Sequence, residues 1–129
     1  MGSEMCIRDR SERYYQEKFA REIGGQVEVV MKDGTRCDIL TATHAIEVDF
    51  AKKWAESIGQ SLNYAMQTGK RPGVALILLS PSDNKYIERV RKISAEYSLG
   101  LTIYPIDGCL LYTSPSPRDL STSRMPSSA

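Results

Sequence analysis

The chain reads as an α/β domain, a mixed β-sheet flanked by helices in the order α-β-β-β-α-β-α-β. Three observations predict it. Val27, Val29 and Met31 alternate with polar neighbours ahead of Asp33-Gly34, the pattern of a hairpin. Val74, Ala75, Leu76, Ile77, Leu78 and Leu79 are apolar without a break, as in a central strand covered on both faces. Between these segments lies a long pattern of helical period over residues 51–68. Strand, helix and strand in that order imply a right-handed crossover and parallel pairing.

Each element has a local reason. Over residues 11–23, Tyr15, Phe19, Ala20 and Ile23 fall at i, i+4, i+5 and i+8, one face of a helix that Gly24-Gly25 ends. Asp33-Gly34 accepts the positive φ that tight hairpin turns demand, so a second strand follows over 35–41 and a third over 45–50. Period two puts Cys37 and Ile39 on one side of the second strand, and Asp38 and Leu40 on the other. On the third strand, Ile46, Val48 and Phe50 share one side, and Ala45, Glu47 and Asp49 the other. Trp54, Ile58, Leu62 and Ala65 form the expected core stripe of the long helix, which the turn segment Gly69-Lys70-Arg71-Pro72-Gly73 ends. Ser82 is placed to cap a last helix over 83–98, closed by Gly100, and residues 101–104 supply a short final strand.

The two ends read differently. Residues 1–9 and 109–117 can be written as translations of the opposite strands of one DNA sequence, which resembles a transposon-type sequencing adapter, and residues 123–129 are similar to its continuation. Residues 1–10 and 109–129 are therefore read as adapter-derived, and 11–108 as the domain. On this reading Leu110, Leu111 and Tyr112 are expected to pack poorly. Of 17 Lys and Arg, Arg8, Arg10, Arg118 and Arg124 fall in these ends; of 16 Asp and Glu, Glu4, Asp9 and Asp119 do, leaving 13 of each sign. No global basic field points to a nucleic-acid partner. Cys6 and Cys109 drop out too, and Cys37 alone permits neither a disulfide framework nor a cysteine-based zinc site. A reducing, cytoplasmic setting is favoured. The longest apolar run, 74–79, is of buried-strand length, so no membrane partner is expected.

Asp38 and Glu47, on hairpin-linked strands, can bring two carboxylates together on one sheet face. Magnesium suits such a pair, because it takes oxygen ligands and completes its shell with water and substrate phosphate. Here the chain resembles the PD-(D/E)XK nuclease superfamily, through Arg36-Cys37-Asp38-Ile39-Leu40-Thr41, then Ala45-Ile46-Glu47-Val48-Asp49-Phe50, then Gln60-Ser61-Leu62-Asn63-Tyr64. The resemblance covers nearly all of 11–108 and implies a restriction-endonuclease-like core. It also implies a metal-dependent DNA endonuclease, with Asp38, Glu47 and the Val48 carbonyl holding Mg2+ or Mn2+. Gln60 and Tyr64 match the QxxxY motif of some branches.

The departure is Asp49, where the family motif has lysine. Lys53 offers a replacement, since it shares a helical face with Gln60 and Tyr64, whereas Lys52 points about a quarter-turn away. Asp49 itself reads equally as an ion-pair partner of Lys53 or Lys52 and as a metal ligand. Relatives often place an acidic residue on the first helix, which makes Glu12 and Gln16 further candidates; a first-turn glutamate also simply suits the helix dipole. His44 reads as a turn or strand-edge residue and Cys37 as core. Lys70, Arg71, Lys85, Arg89 and Lys92 could touch phosphates or remain solvated. The alternative function is a non-catalytic nucleic-acid-binding or assembly module on the same fold, motivated by the missing lysine and neutral charge. The oligomeric state is left open, a homodimer included.

Overall fold

The computed structural model describes residues 11–108. The adapter reading of 1–10 and 109–129, with the expectation for Leu110, Leu111 and Tyr112, lies outside the described residues. Helix α1 (Glu12–Ile23) leads into a meander of β1 (Gln26–Val30), β2 (Arg36–Leu40) and β3 (His44–Phe50). A 3-10 turn, Ala51–Lys53, then enters α2 (Trp54–Thr68), followed by β4 (Arg71–Leu78), a second 3-10 turn (Pro81–Asp83), α3 (Asn84–Tyr97) and β5 (Thr102–Asp107). The sheet order is β1-β2-β3-β4-β5, with antiparallel pairing up to β3 and parallel pairing from β3 onward. This is the α/β order expected. Among the described residues no helix is long and apolar enough to cross a membrane.

The termini of α1 follow the local chemistry. The Ser11 hydroxyl accepts from the Tyr14 amide at 3.3 Å, and Gly24 closes the helix at φ 74°. The hairpin turn puts Gly34 at φ 90°, and the Asp33 carboxylate accepts from the Thr35 amide at 2.9 Å. Helix α2 clasps this turn: Gln67 Oε1 accepts from the Asp33 amide at 3.1 Å and Asn63 Nδ2 donates to Asp33 Oδ2 at 3.2 Å.

Strand β4 divides its side chains between two cores. Ala75 and Ile77 join Ile39, Ile46 and Val48 beneath Tyr15 and Ala20 of α1. Val74, Leu76 and Leu78 face Ile87 and Val90 of α3 with Trp54 and Ile58 of α2. A third cluster, Met31, Cys37, Ala45 and Tyr64, sits where α2 crosses the hairpin. Each fully buried aliphatic side chain contributes about 1.5–3 kcal/mol.

Four local expectations change. The buried face of α2 is Ser57, Ser61 and Tyr64, while Leu62 and Ala65 are only partly covered. The serines satisfy themselves, since Ser57 Oγ donates to the Lys53 carbonyl at 3.1 Å and Ser61 Oγ to the Ile58 carbonyl at 2.9 Å. Small self-bonded hydroxyls can then face the sheet at little cost. We expect Ser57→Ala to leave the melting temperature nearly unchanged and Ser57→Leu to cost about 1–3 kcal/mol by overpacking, as thermal denaturation will show. Ser82 does not cap α3; its hydroxyl pairs with Ser80, and Asp83 Oδ2 accepts from the Leu79 amide at 2.9 Å. Helix α3 ends at Ser98, itself left-handed at φ 52°, two residues before Gly100. Strand β5 runs through Pro105 to Asp107, because an edge strand has a side on which a missing N–H costs nothing.

Candidate active site

The β2–β3 ladder pairs Leu40 with Ala45 and Ile39 with Ile46, and the next step of that register sets Asp38 beside Glu47. The strands part there. Instead of a β2 carbonyl, the Val48 amide donates to Asp38 Oδ2 at 2.8 Å. In extended backbone a residue's N–H and C=O point to the same side, so the Val48 carbonyl faces this fork as well.

Strict alternation fails at the same place. Ile39 packs with Ile46 and Val48 as period two predicts, but Cys37 packs with Leu40, Ala45 and Tyr64 on the opposite face. On the neighbouring strand Glu28, which falls across from Asp38, takes φ 55°, a left-handed value inside a strand.

The fork is acidic and mostly buried. Glu47 and Asp49 are each 5% exposed, so this face is interior and not an open sheet surface. Removal from water pushes the Glu47 carboxyl up to about 9, with the Asp38 charge beside it as the second cause. Asp38 is also raised by burial, against the lowering effect of the Val48 amide and of the Glu47 carboxyl that bonds to it. Burial takes Asp49 to about 6, although the Phe50 amide, 3.0 Å from Oδ1, and the Lys53 charge oppose the shift. Glu12 reaches about 7, through burial and then the charges of Asp49 and Asp38, with Lys53 lowering it. The Tyr64 hydroxyl donates to Gln60 Oε1 at 3.2 Å and also interacts with the Glu47 carboxyl; burial and that charge raise its pKa.

Such a set lacks positive charge. Glu47 Oε1 is buried without a hydrogen-bond partner, and burial lifts the pKa of four carboxyl groups, of which Lys53 lowers only Glu12 and Asp49. Among the described residues, no three His, Cys, Asp or Glu side chains converge to enclose a metal ion. Two carboxylates and a carbonyl are nonetheless a magnesium-type donor set when water and phosphate complete the shell. Asp38, Glu47 and Val48 thus fit a hard divalent cation.

Glu12, Asp38, Glu47, Asp49, Lys53 and Tyr64 are brought together, and Gln60 touches Tyr64. Beside Gln60 and Tyr64, an open groove of about 680 Å³ runs between α2 and the start of β2, where Arg36 and Asn63 also line it. Gln16 is close but turned away from ligand duty, as its amide donates to Glu28 Oε2 at 2.9 Å and to the Asp38 carbonyl at 3.0 Å. Lys70 and Arg71 stand at the opposite end of β3, because Arg71 pairs with His44, and the Lys70 amine donates to the Thr41 carbonyl. His44 is structural, with its ring nitrogens on Thr43 and Thr102. Arg89 lies over the Trp54 ring, 5.4 Å from its centroid, and so flanks the start of α2; Lys85 lies over its neighbour Tyr86 on α3, and Lys92 is exposed. Sequence reasoning missed Glu28. An isolated glutamate between valines gives no sign of a left-handed backbone.

No family model and no solved structure matches the chain. It is similar to a KilA-N domain-containing protein, L33, of Acanthamoeba polyphaga mimivirus, at 30% identity over 94 residues. The match takes in 72% of this chain and spans 37% of the length of L33.

Proposed function

We propose that the chain acts on nucleic acid as a metal-dependent nuclease of PD-(D/E)XK type, hydrolysing DNA phosphodiester bonds as an endonuclease. The observation that supports this most is the buried Asp38–Glu47 pair with Glu47 Oε1 unpartnered. Asp38, Glu47 and the Val48 carbonyl would hold magnesium or manganese, which when bound lowers the pKa of a water and neutralises charge on the phosphate. Lys53, on the other side of Asp49, offsets charge that develops on the phosphate oxygens. Gln60 holds the Tyr64 hydroxyl against Glu47. Cytoplasmic localisation belongs to the same reading.

A second reading, a non-catalytic nucleic-acid-binding or assembly module, is favoured by two observations. Asp49 stands where the motif has lysine, and the relative L33 is named for a KilA-N domain, not for a nuclease. The experiment is cleavage of supercoiled and linear DNA with magnesium, manganese or chelator. Lys53→Ala should slow cleavage by roughly 10²–10³-fold with little change in metal affinity, while Lys52→Ala stays near the parent rate. Chelator-resistant cleavage sinks the mechanism. No cleavage of any substrate, with salt-dependent DNA binding in the absence of metal, selects the second reading.

A further inference from the structure

We propose that Gln16 and Glu28 are a positioning pair that holds Asp38 in the fork, an inference resting on the reading of Asp38 as a metal ligand. Three independent observations meet at one point of the sheet. The β1–β2 register is the same on either side, with Val27 opposite Ile39 and Val29 opposite Cys37, so Glu28 falls across from Asp38 with no residue inserted, while that one pair drops out of the ladder. Yet Glu28 takes φ 55°. A left-handed non-glycine residue inside a strand persists only where its surroundings hold it.

The holders are visible. Gln16, 4% exposed, donates from Nε2 both to Glu28 Oε2 at 2.9 Å and to the Asp38 carbonyl at 3.0 Å. On the other carboxylate oxygen, Glu28 Oε1 has Arg36 Nη1 at 3.5 Å. One buried amide group thus ties the kinked residue of β1 to the backbone of the residue opposite it on β2. The third observation is the result at Asp38, whose Oδ2 leaves the pleat to accept from the Val48 amide. Cys37, one residue before, has crossed to the other face. The tie from Gln16 to Glu28 and to the Asp38 carbonyl fixes the backbone from which the Asp38 carboxylate reaches the Val48 amide. Gln16 and Glu28 act through Asp38 and touch no substrate.

The Val48 amide reads Asp38 placement whether or not the chain cleaves DNA. Amide hydrogen exchange would be followed by NMR in the full chain, with Ala75 of β4 as internal reference. Glu28→Gly permits the same φ but removes the carboxylate, and Gln16→Ala removes the amide. Each should speed exchange at Val48 by roughly tenfold relative to Ala75. Glu28→Gln keeps an acceptor for Gln16 and should retain parental protection. Unchanged protection of Val48 in both Glu28→Gly and Gln16→Ala overturns the proposal, as does equal loss at Val48 and Ala75, which marks general loosening. A manganese titration separates the two layers. Weaker manganese binding in the same two variants, restored in Glu28→Gln, extends the effect to the metal. Faster Val48 exchange without manganese binding in any form, the parent included, supports the pair and rejects the nuclease reading.

Discussion

Asp38→Asn and Glu47→Gln each lower magnesium-dependent DNA cleavage by roughly 10³-fold while the domain stays folded. The amide variants suit the test better than alanine. Glu47 is interior, so Glu47→Ala would open a cavity beside Tyr64 and confuse loss of a ligand with loss of packing. Glu47→Gln keeps the volume and removes the capacity to become an anion, at the exchange of one acceptor oxygen for an amide donor. Circular dichroism and melting curves establish folding, and cleavage of supercoiled plasmid with magnesium gives the rate. A Glu47→Gln chain cutting at the parent rate removes Glu47 from the metal site.

The second large effect is on stability against pH. Glu47 titrates at about 9 against an ordinary 4.5, Glu12 at about 7 against 4.5, and Asp49 at about 6 against 3.8. All three are raised, so the folded chain keeps protons that the unfolded chain has released. Their contribution to stability is therefore fully present below the ordinary carboxylate range and is lost as pH climbs through the folded values. In chelator, the melting temperature should fall steadily between about pH 5 and pH 9, by about 4–8 °C for each kcal/mol lost. Magnesium should oppose the fall, and by more at higher pH, because binding needs the carboxylates deprotonated and releases their protons. Glu47→Gln imitates the protonated form permanently. It should match the parent near pH 5, exceed it near pH 9 in chelator, and lose most of the magnesium response. A metal-free melting temperature that rises from pH 5 to pH 9 contradicts the electrostatics of the fork.

Much of this architecture is legible in local chemistry. Gly24, Asp33-Gly34 and the unbroken run of β4 each carry their own instruction, and the hairpin register is enough to set Asp38 and Glu47 at facing positions of β2 and β3. Features decided between elements are not legible. Ser57 and Ser61 look like surface residues until their hydroxyls turn back onto their own helix. Glu28 looks like an ordinary strand glutamate, because Gln16, the side chain that holds its backbone, is twelve residues away on α1. The site shows the same division. The acidic residues and Lys53 stand out by type and spacing, whereas the depth of burial, and with it the shifted proton affinities, exists only after α1 and α2 close over the fork. Lys70 and Arg71 show the converse case: their chemistry is plain in the sequence, but their distance from the fork, at the other end of β3, is not.

The strand order of the sheet is the order of the chain. Every pairing therefore closes a connection between consecutive strands, and no strand waits for a distant partner before it can add. Loop-closure entropy is met in modest steps, which favours rapid assembly for a sheet protein. The fork lies beside β3, the one strand paired antiparallel on one side and parallel on the other. The carboxylates of the fork lose their water only where α1 and α2 cover the sheet. The meander can collapse on its own hydrophobic contacts while its carboxylates are still hydrated, and their repulsion is felt only when the helices seal them from water.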